Sequence, residues 1–315
     1  MKEYYAARLK DTELLKNSSS GGMATLLSEY FLDVGCAVST VTYNYDSHKA
    51  EFVLLTDIGD IDKIKGSKYM QSYMGDIFVK SEQWCKNNPN KSLLFIGMGC
   101  QADAFRKYAE EKKFRKQTFI VDIVCHGSPS PLMWSDYIKR LEKKYRGKVT
   151  YVSFKDKRNG WNNPTALCKI RGIERSLSDY VQLFYNQCIL RPSCHVCPYA
   201  TVNRLVDMTI GDFWGIEKQL PELDVKDGIS LVIVHSDEAR LFFEHIKGKI
   251  EYWKSEKEVC QQPNLTAPTP MSKQREEFWR VYRDFGFAIV HRKYCEESLV
   301  MKVKKKINKI ICVGG

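Results

Sequence analysis

Apolar positions in residues 20–34 recur with a helical period: Met23, Leu26, Leu27, Tyr30, Phe31 and Val34 fall on one face, which predicts a helix from Ser20 to Val34. Ahead of it, Asn17-Ser18-Ser19-Ser20-Gly21-Gly22 has the hydroxyls and glycines of a cap and loop. Residues 36–45 and 52–55 read as strands, and a helix is predicted near 74–86. Two strand–loop–helix units follow. The first has the strand Leu93-Leu94-Phe95-Ile96, a loop from Gly97 to Gln101, and a helix starting at Ala102. The second has a strand from Phe119 to Val124, a loop from Cys125 to Pro131, and a helix to about Tyr145. Short, wholly apolar strands alternating with helices predict parallel pairing with both faces of the sheet covered. Loops that leave the carboxyl ends of such strands line the ligand crevice. Cys100, Gln101, Cys125 and His126 are therefore expected to share one sheet edge.

From about Lys148 the texture changes. Val149–Phe154 and Leu167–Arg171 alternate like half-exposed strands around a loop at 159–164. A cysteine-bearing segment comes next, then a strand from Met208 ending in the turn Phe213-Trp214-Gly215, a strand at 230–235 and a helix at 237–246. Beyond Cys260 the chain reads as mixed helix and loop. The expected class is α/β: a mixed, partly parallel sheet with flanking helices, plus a second, smaller α+β region carrying the cysteine loop. The division is placed between residues 1–147 and 148–315.

Apolar residues are 43% and charged residues 28% of the 315, the balance of a soluble globular chain. No apolar run approaches the ~20 residues that span a bilayer. Met1-Lys2-Glu3-Tyr4-Tyr5 lacks the layout of a secretion signal, so the cytoplasm is the expected compartment. The eleven cysteines then do not form a secreted disulfide framework. Cys36, Cys85, Cys168, Cys260, Cys295 and Cys312 read as small buried hydrophobes. The net charge of +11 does not imply nucleic-acid binding, because Lys and Arg are spread along the chain and accompany no recognition module. The densest run, Lys302–Lys309, reads as a surface helix able to touch acidic lipid or an acidic partner. The excess charge equally suits anionic cofactors.

Candidate chemistry centres on Cys188-x5-Cys194-x2-Cys197-Pro198. Two thiolates two residues apart can hold one metal centre, and local spacing fits iron–sulfur and zinc alike. Further ligands must come from afar: Cys125 and Cys188 lead, with Cys100 and His195 behind them. Ser18–Gly22, opening a helix, is either a phosphate cradle or a plain cap. Gly66-Ser67-Lys68-Tyr69-Met70-Gln71-Ser72 is a second polar loop with one fixed cation. Together the two can hold a pyrophosphate, with Tyr69 available for stacking. The competing reading of this second loop is an ordinary helix terminus. His126 is read as structural rather than a proton donor, and Asp212 as a turn cap.

The ordered set Ser19-Ser20-Gly21-Gly22, Lys65-Gly66-Ser67-Lys68-Tyr69-x-Gln71-Ser72, Gly99-Cys100-Gln101, Asp122-x2-Cys125-His126-Gly127, Leu190-Arg191-Pro192-Ser193-Cys194-x2-Cys197 and Asp207-x-Thr209-Ile210-Gly211-Asp212-x-Trp214-Gly215 resembles the beta-subunit family of coenzyme F420 hydrogenases and dehydrogenases. It runs from residue 18 to 215. The resemblance implies bound FAD and a 4Fe-4S cluster, relaying electrons between a ferredoxin-like donor and a small-molecule two-electron substrate. It would place FAD on Ser19, Ser20, Gly21, Gly22, Gly66, Ser67, Lys68, Tyr69, Gln71, Ser72 and Gln101. It would give the cluster to Cys125, Cys194 and Cys197, with Cys188 as the fourth ligand, and it favours iron–sulfur over zinc. The runner-up is a zinc-stabilised, non-catalytic assembly protein of a glycan pathway. Many members carry an N-terminal ferredoxin-like module that this sequence lacks, and short forms are associated with surface-polysaccharide biosynthesis. Met98 and Gly99 stand where the family pattern has a proline before the cysteine.

Overall fold

In the computed structural model, which describes residues 2–295, the chain begins as a strand that its sequence pattern did not announce, β1 (Glu3–Leu9). After the short α1 (Thr12–Lys16) come α2 (Met23–Asp33), the hairpin β2 (Ala37–Asn44) and β3 (Lys49–Leu55), and α3 (Ile77–Asn87). The two strand–loop–helix units follow as β4 (Leu93–Met98) with α4 (Gly99–Glu111), then β5 (Thr118–Ile123) with α5 (Pro131–Tyr145). Strands β6 (Val149–Asp156), β7 (Thr165–Ile170) and β8 (Ile173–Ser176) form a small antiparallel sheet before α6 (Ser178–Tyr185). The remainder is β9 (Met208–Asp212), α7 (Ile216–Gln219), β10 (Ser230–Val234), α8 (Asp237–Ile246), β11 (Ile250–Ser255), α9 (Lys257–Cys260) and α10 (Arg275–Tyr294).

The large sheet has the order β11-β1-β10-β9-β5-β4-β2-β3. Its four central strands β9, β5, β4 and β2 are parallel, with Leu93 opposite Thr118 and Val121 opposite Met208. The flanks are antiparallel. The expected mixed, partly parallel sheet with a smaller second sheet is thus the observed architecture. Strands β9, β10 and β11, all beyond residue 148, complete the same sheet that β1 enters.

Burial explains the layers. Leu93 to Gly97 in β4 and all five residues of β10 are buried, as strands covered on both faces require. One face is closed by α2 and α8: Met23, Leu27 and Phe31 pack with Val121, Val232 and Phe243. On the other, Ile77, Phe105 and Ala109 pack with Phe95 and Ile120. A separate core joins α5, α6 and α10 to the small sheet through Trp134, Tyr137, Tyr180, Phe154 and Phe278. Asp207 stitches β5 to the start of β9: it takes two hydrogen bonds of 2.8 Å from Arg115 Nη2 and one of 2.8 Å from the Ile120 amide.

Helix α4 starts three residues earlier than expected, at Gly99. Gln101 supplies the reason, because its Oε1 accepts the Met98 amide at 3.1 Å and so closes the first turn as a cap. Cys100 and Gln101 therefore sit on a helix rather than a loop. Lys302–Lys309 and Cys312, expected to form a surface helix and a buried thiol, lie outside the described residues. Among the described residues, no helix is long and apolar enough to cross a membrane.

Candidate functional site

The carboxyl ends of the four parallel strands open into one cavity of about 610 Å³. Thr40 and Val41 of β2, Gly97 and Met98 of β4, Ile123 of β5 and Ile210 to Asp212 of β9 form its floor. This is where an open parallel sheet places its ligands.

Two loops close one end of the cavity. Ser19 and Ser20 come from the loop before α2, and Gly66, Ser67, Lys68, Tyr69 and Ser72 from the loop before α3. The Ser19 and Ser67 hydroxyls share a hydrogen bond of 3.1 Å, so the two loops meet there. Ala24, Thr25 and Ser28 show that the first turns of α2 face the same space, where helix amides lack helical acceptors. Gln101 also lines the wall, donating to the Ser72 hydroxyl at 2.8 Å.

Gly21, Gly22 and Gln71 do not line the cavity. Gly21 lies between strands: its amide donates to Ser230 Oγ at 2.9 Å, and a Cβ there would sit 2.2 Å from the Ala7 carbonyl oxygen. Gly22 caps α2 at φ +82°, a conformation that suits glycine. Gln71 instead donates its amide to the Pro129 carbonyl. The two glycines shape the loop. Gly21→Ala is expected to lower stability by about 2–3 kcal/mol, read from urea unfolding.

Lys68 reaches the carbonyls of Ile64 (2.6 Å) and Lys65 (3.1 Å), and burial pushes its pKa down to about 7. Tyr69 is engaged inside the protein, its ring stacked on Phe184 at 4.7 Å and Phe154 at 5.2 Å.

At the far side the cavity meets the cysteines. Cys125 lines it, with its Sγ 3.6 Å from Met98 Sδ. Burial, opposed by a hydrogen bond from the Gly127 amide, pushes the Cys125 thiol up to about 12, and the nearby Cys194, Cys100 and Cys197 add to the rise. Cys100 is likewise raised by desolvation and then by Cys197 and Cys194. Four thiols thus lie within electrostatic reach of one another. Cys194 Sγ accepts the Ser128 amide at 3.3 Å, which ties the cysteine loop to the loop after β5. Arg204, beyond that loop, donates to buried Asp122 of β5 at 2.8 Å and pins it from the other side. Cys188 is elsewhere: it is buried in the α5–α6–α10 core and donates to Ser272 Oγ at 3.4 Å. Among the described residues, no three His, Cys, Asp or Glu side chains are gathered tightly enough for a single metal ion.

Several lining residues have partners that the sequence did not announce. Asp212 is not a turn cap: its carboxylate pairs with Lys155 and accepts Trp161 Nε1 at 2.9 Å. Lys155 stands over the Trp214 indole, whose other neighbour is Trp161 in a parallel stack at 4.7 Å. His126 lies in the wall with a buried, unpartnered Nε2, as do Ser128 Oγ and Gln262 Oε1.

None of the curated proteins matches this chain. A chain of the F420-reducing NiFe hydrogenase complex from Methanosarcina barkeri has a similar fold, with a TM-score of 0.56 over 83% of this chain and 89% of that one at 17% identity. The sequence pattern of the coenzyme F420 hydrogenase/dehydrogenase beta subunit N-terminal part matches residues 4–78, and that of its C terminus matches residues 90–258. With more than half of its length inside the second match alone, the chain belongs to the coenzyme F420 hydrogenase/dehydrogenase beta subunit family.

Proposed function

We propose that this protein is a cytoplasmic oxidoreductase with FAD in the cavity and a 4Fe-4S cluster on Cys100, Cys125, Cys194 and Cys197. Family membership makes it a redox protein with an electron-transfer role. The observation that carries the finer reading is Cys125, which belongs both to the cavity wall and to the group of four thiols.

The residues suit both groups. About 610 Å³ falls within the ~300–1,000 Å³ of cofactor and ligand pockets. One end offers Ser19, Ser67, Lys68 and the first turn of α2 to a diphosphate. The middle is apolar, with Val41, Ile96, Met98 and Ile123 to exclude water from a flat ring. The unpartnered polar atoms of His126, Ser128 and Gln262 each cost about 1–3 kcal/mol when left bare, and the polar edge of a heteroaromatic ring satisfies such groups. Bound flavin supplies two-electron hydride chemistry, and an iron–sulfur cluster supplies single-electron transfer.

The chain's own part is to bind and to separate. Thiols that ligate iron do so as thiolates, so cluster assembly would release protons to solvent, those of Cys100 and Cys125 from thiols raised by burial. Met98 and Cys125 line the cavity side by side, their sulfurs 3.6 Å apart. Cys100, the exposed member of the four, marks the side where a ferredoxin-like donor approaches, and a chain of net charge +11 favours an acidic one. Tyr185 and Trp214, both partly exposed, mark the side where a small-molecule substrate enters. The ten cysteines of the described residues are all free thiols, which suits a reducing compartment.

Anaerobically purified protein is expected to show flavin absorbance over a broad iron–sulfur shoulder, with iron and sulfide each near the cluster's count of about four per chain. Protein without flavin, or with one zinc and no acid-labile sulfide, would sink this reading.

A further inference from the structure

Lys157, just beyond the end of β6, is not in the cavity wall, yet its ammonium has a full set of partners at the cavity's edge. Its Nζ donates to the Ser20 carbonyl at 2.6 Å, the Leu15 carbonyl at 2.8 Å and the Asp227 carbonyl at 2.6 Å. Three donors meet three acceptors, so no donor is left for a ligand. Lys155, two residues earlier and so on the same side of the strand, reaches Asp212 on the cavity wall. The small sheet thereby sends two ammonium groups into the body formed by the large one.

The peptide between Ser20 and Gly21 is held at both ends. Lys157 takes its carbonyl, and Ser230 Oγ takes its amide. Ser20 itself has φ +54°, an unfavourable region for a residue with a side chain, and its hydroxyl donates to the Ile229 carbonyl at 2.9 Å. Gly228 makes the approach possible: a Cβ there would stand 2.4 Å from the Ser20 carbonyl oxygen and 3.2 Å from Lys157 Nζ. The Ser20 hydroxyl holds this conformation from within the loop, and the half-buried Lys157 ammonium holds it from a distant segment.

We infer that Lys157 is a positioning residue: it fixes the strained Ser20 peptide, and so aims Ser19 and the first turn of α2 at the anionic end of the bound nucleotide. The inference rests on the flavin reading above. It predicts a selective defect, because the loop borders the end of the cavity that would hold phosphate and not the floor that would hold the ring. Lys157→Met is expected to weaken FAD binding about tenfold while leaving riboflavin, which has no phosphate, bound as in the native protein. Both affinities are read from flavin fluorescence quenching on the apoprotein, with its thermal midpoint measured alongside. Ser230→Ala, which frees the other end of the same peptide, is the second variant and is expected to show the same selectivity if Lys157→Met does not fold. Equal losses for FAD and riboflavin, or an unchanged FAD affinity, would overturn the inference. Native protein that binds neither flavin would instead overturn the cofactor reading.

Discussion

Cys100→Ser is expected to strip the protein of iron, sulfide and the broad visible shoulder, whereas Cys188→Ser leaves all three in place. The contrast follows from where the fold puts the two thiols. Cys100 opens α4 at the end of β4, beside the end of β5, where the next loop presents Cys125. The cysteine loop is drawn to this edge by the Ser128 amide on Cys194 and by Arg204 on Asp122. Cys188 instead follows α6 into a separate core, where Trp279 Nε1 donates to its carbonyl at 2.8 Å and its thiol donates a hydrogen bond to Ser272 Oγ. Bringing it to the other three would require dismantling that core. Cys100 is exposed, so its replacement should not disturb folding, and an unchanged thermal midpoint with no iron separates ligand loss from unfolding. Flavin should remain bound in both variants. Iron retained in Cys100→Ser and lost in Cys188→Ser would restore Cys188 as the fourth ligand.

That contrast also shows what a sequence can and cannot carry. The parallel strands were legible because β4 is apolar throughout and β5 is apolar apart from Thr118 and Asp122, and their loops could be assigned to one edge by geometry alone. Cys188 drew notice through its closeness in sequence to Cys194, but six residues of chain suffice to turn from a helical core to a surface loop. Cys100 lies 94 positions before Cys194, and it takes the pairing of β4 with β5 and the tie from Ser128 to Cys194 to make them neighbours. β1 was missed because Glu3-Tyr4-Tyr5-Ala6-Ala7-Arg8-Leu9 has no two-residue alternation: it is buried on both faces between β10 and β11. Gly21 and Gly22 stand out in the sequence, but a glycine's pattern cannot say whether it admits a ligand or a neighbouring strand. Lys155 and Lys157 look like any lysines at the end of a half-exposed strand. Their importance comes entirely from the carbonyls and the carboxylate that other segments bring to them.

Lys68 should make FAD binding weaken as pH rises above 7. Its ammonium is buried against two uncharged carbonyls, so desolvation alone lowers its pKa from 10.5 to about 7. Three consequences have fixed signs. In the free protein the lysine is half protonated near pH 7 and mostly neutral at pH 8. The unfolded chain, with its ordinary pKa, binds the proton up to 10.5, so this burial penalty on folding is complete below about pH 7 and fades as pH climbs towards 10.5. An anion placed beside Lys68 reverses the balance, because it favours the charged form and raises the pKa in the complex. Binding above pH 7 then takes up a proton, and affinity falls about fivefold between pH 7 and pH 8 by linkage. Lys65 in the same loop is already paired with Asp62 at 2.8 Å. Lys68→Met is expected to cost about a hundredfold in FAD affinity at pH 6.5 to 7 and to flatten the pH profile, the loss of a charge-assisted contact to phosphate. Titration calorimetry in two buffers of different ionisation enthalpy reads the proton uptake directly. A native profile that is flat from pH 6 to 9, or a Lys68→Met variant that keeps the native slope, would remove this lysine from the diphosphate end of the cavity.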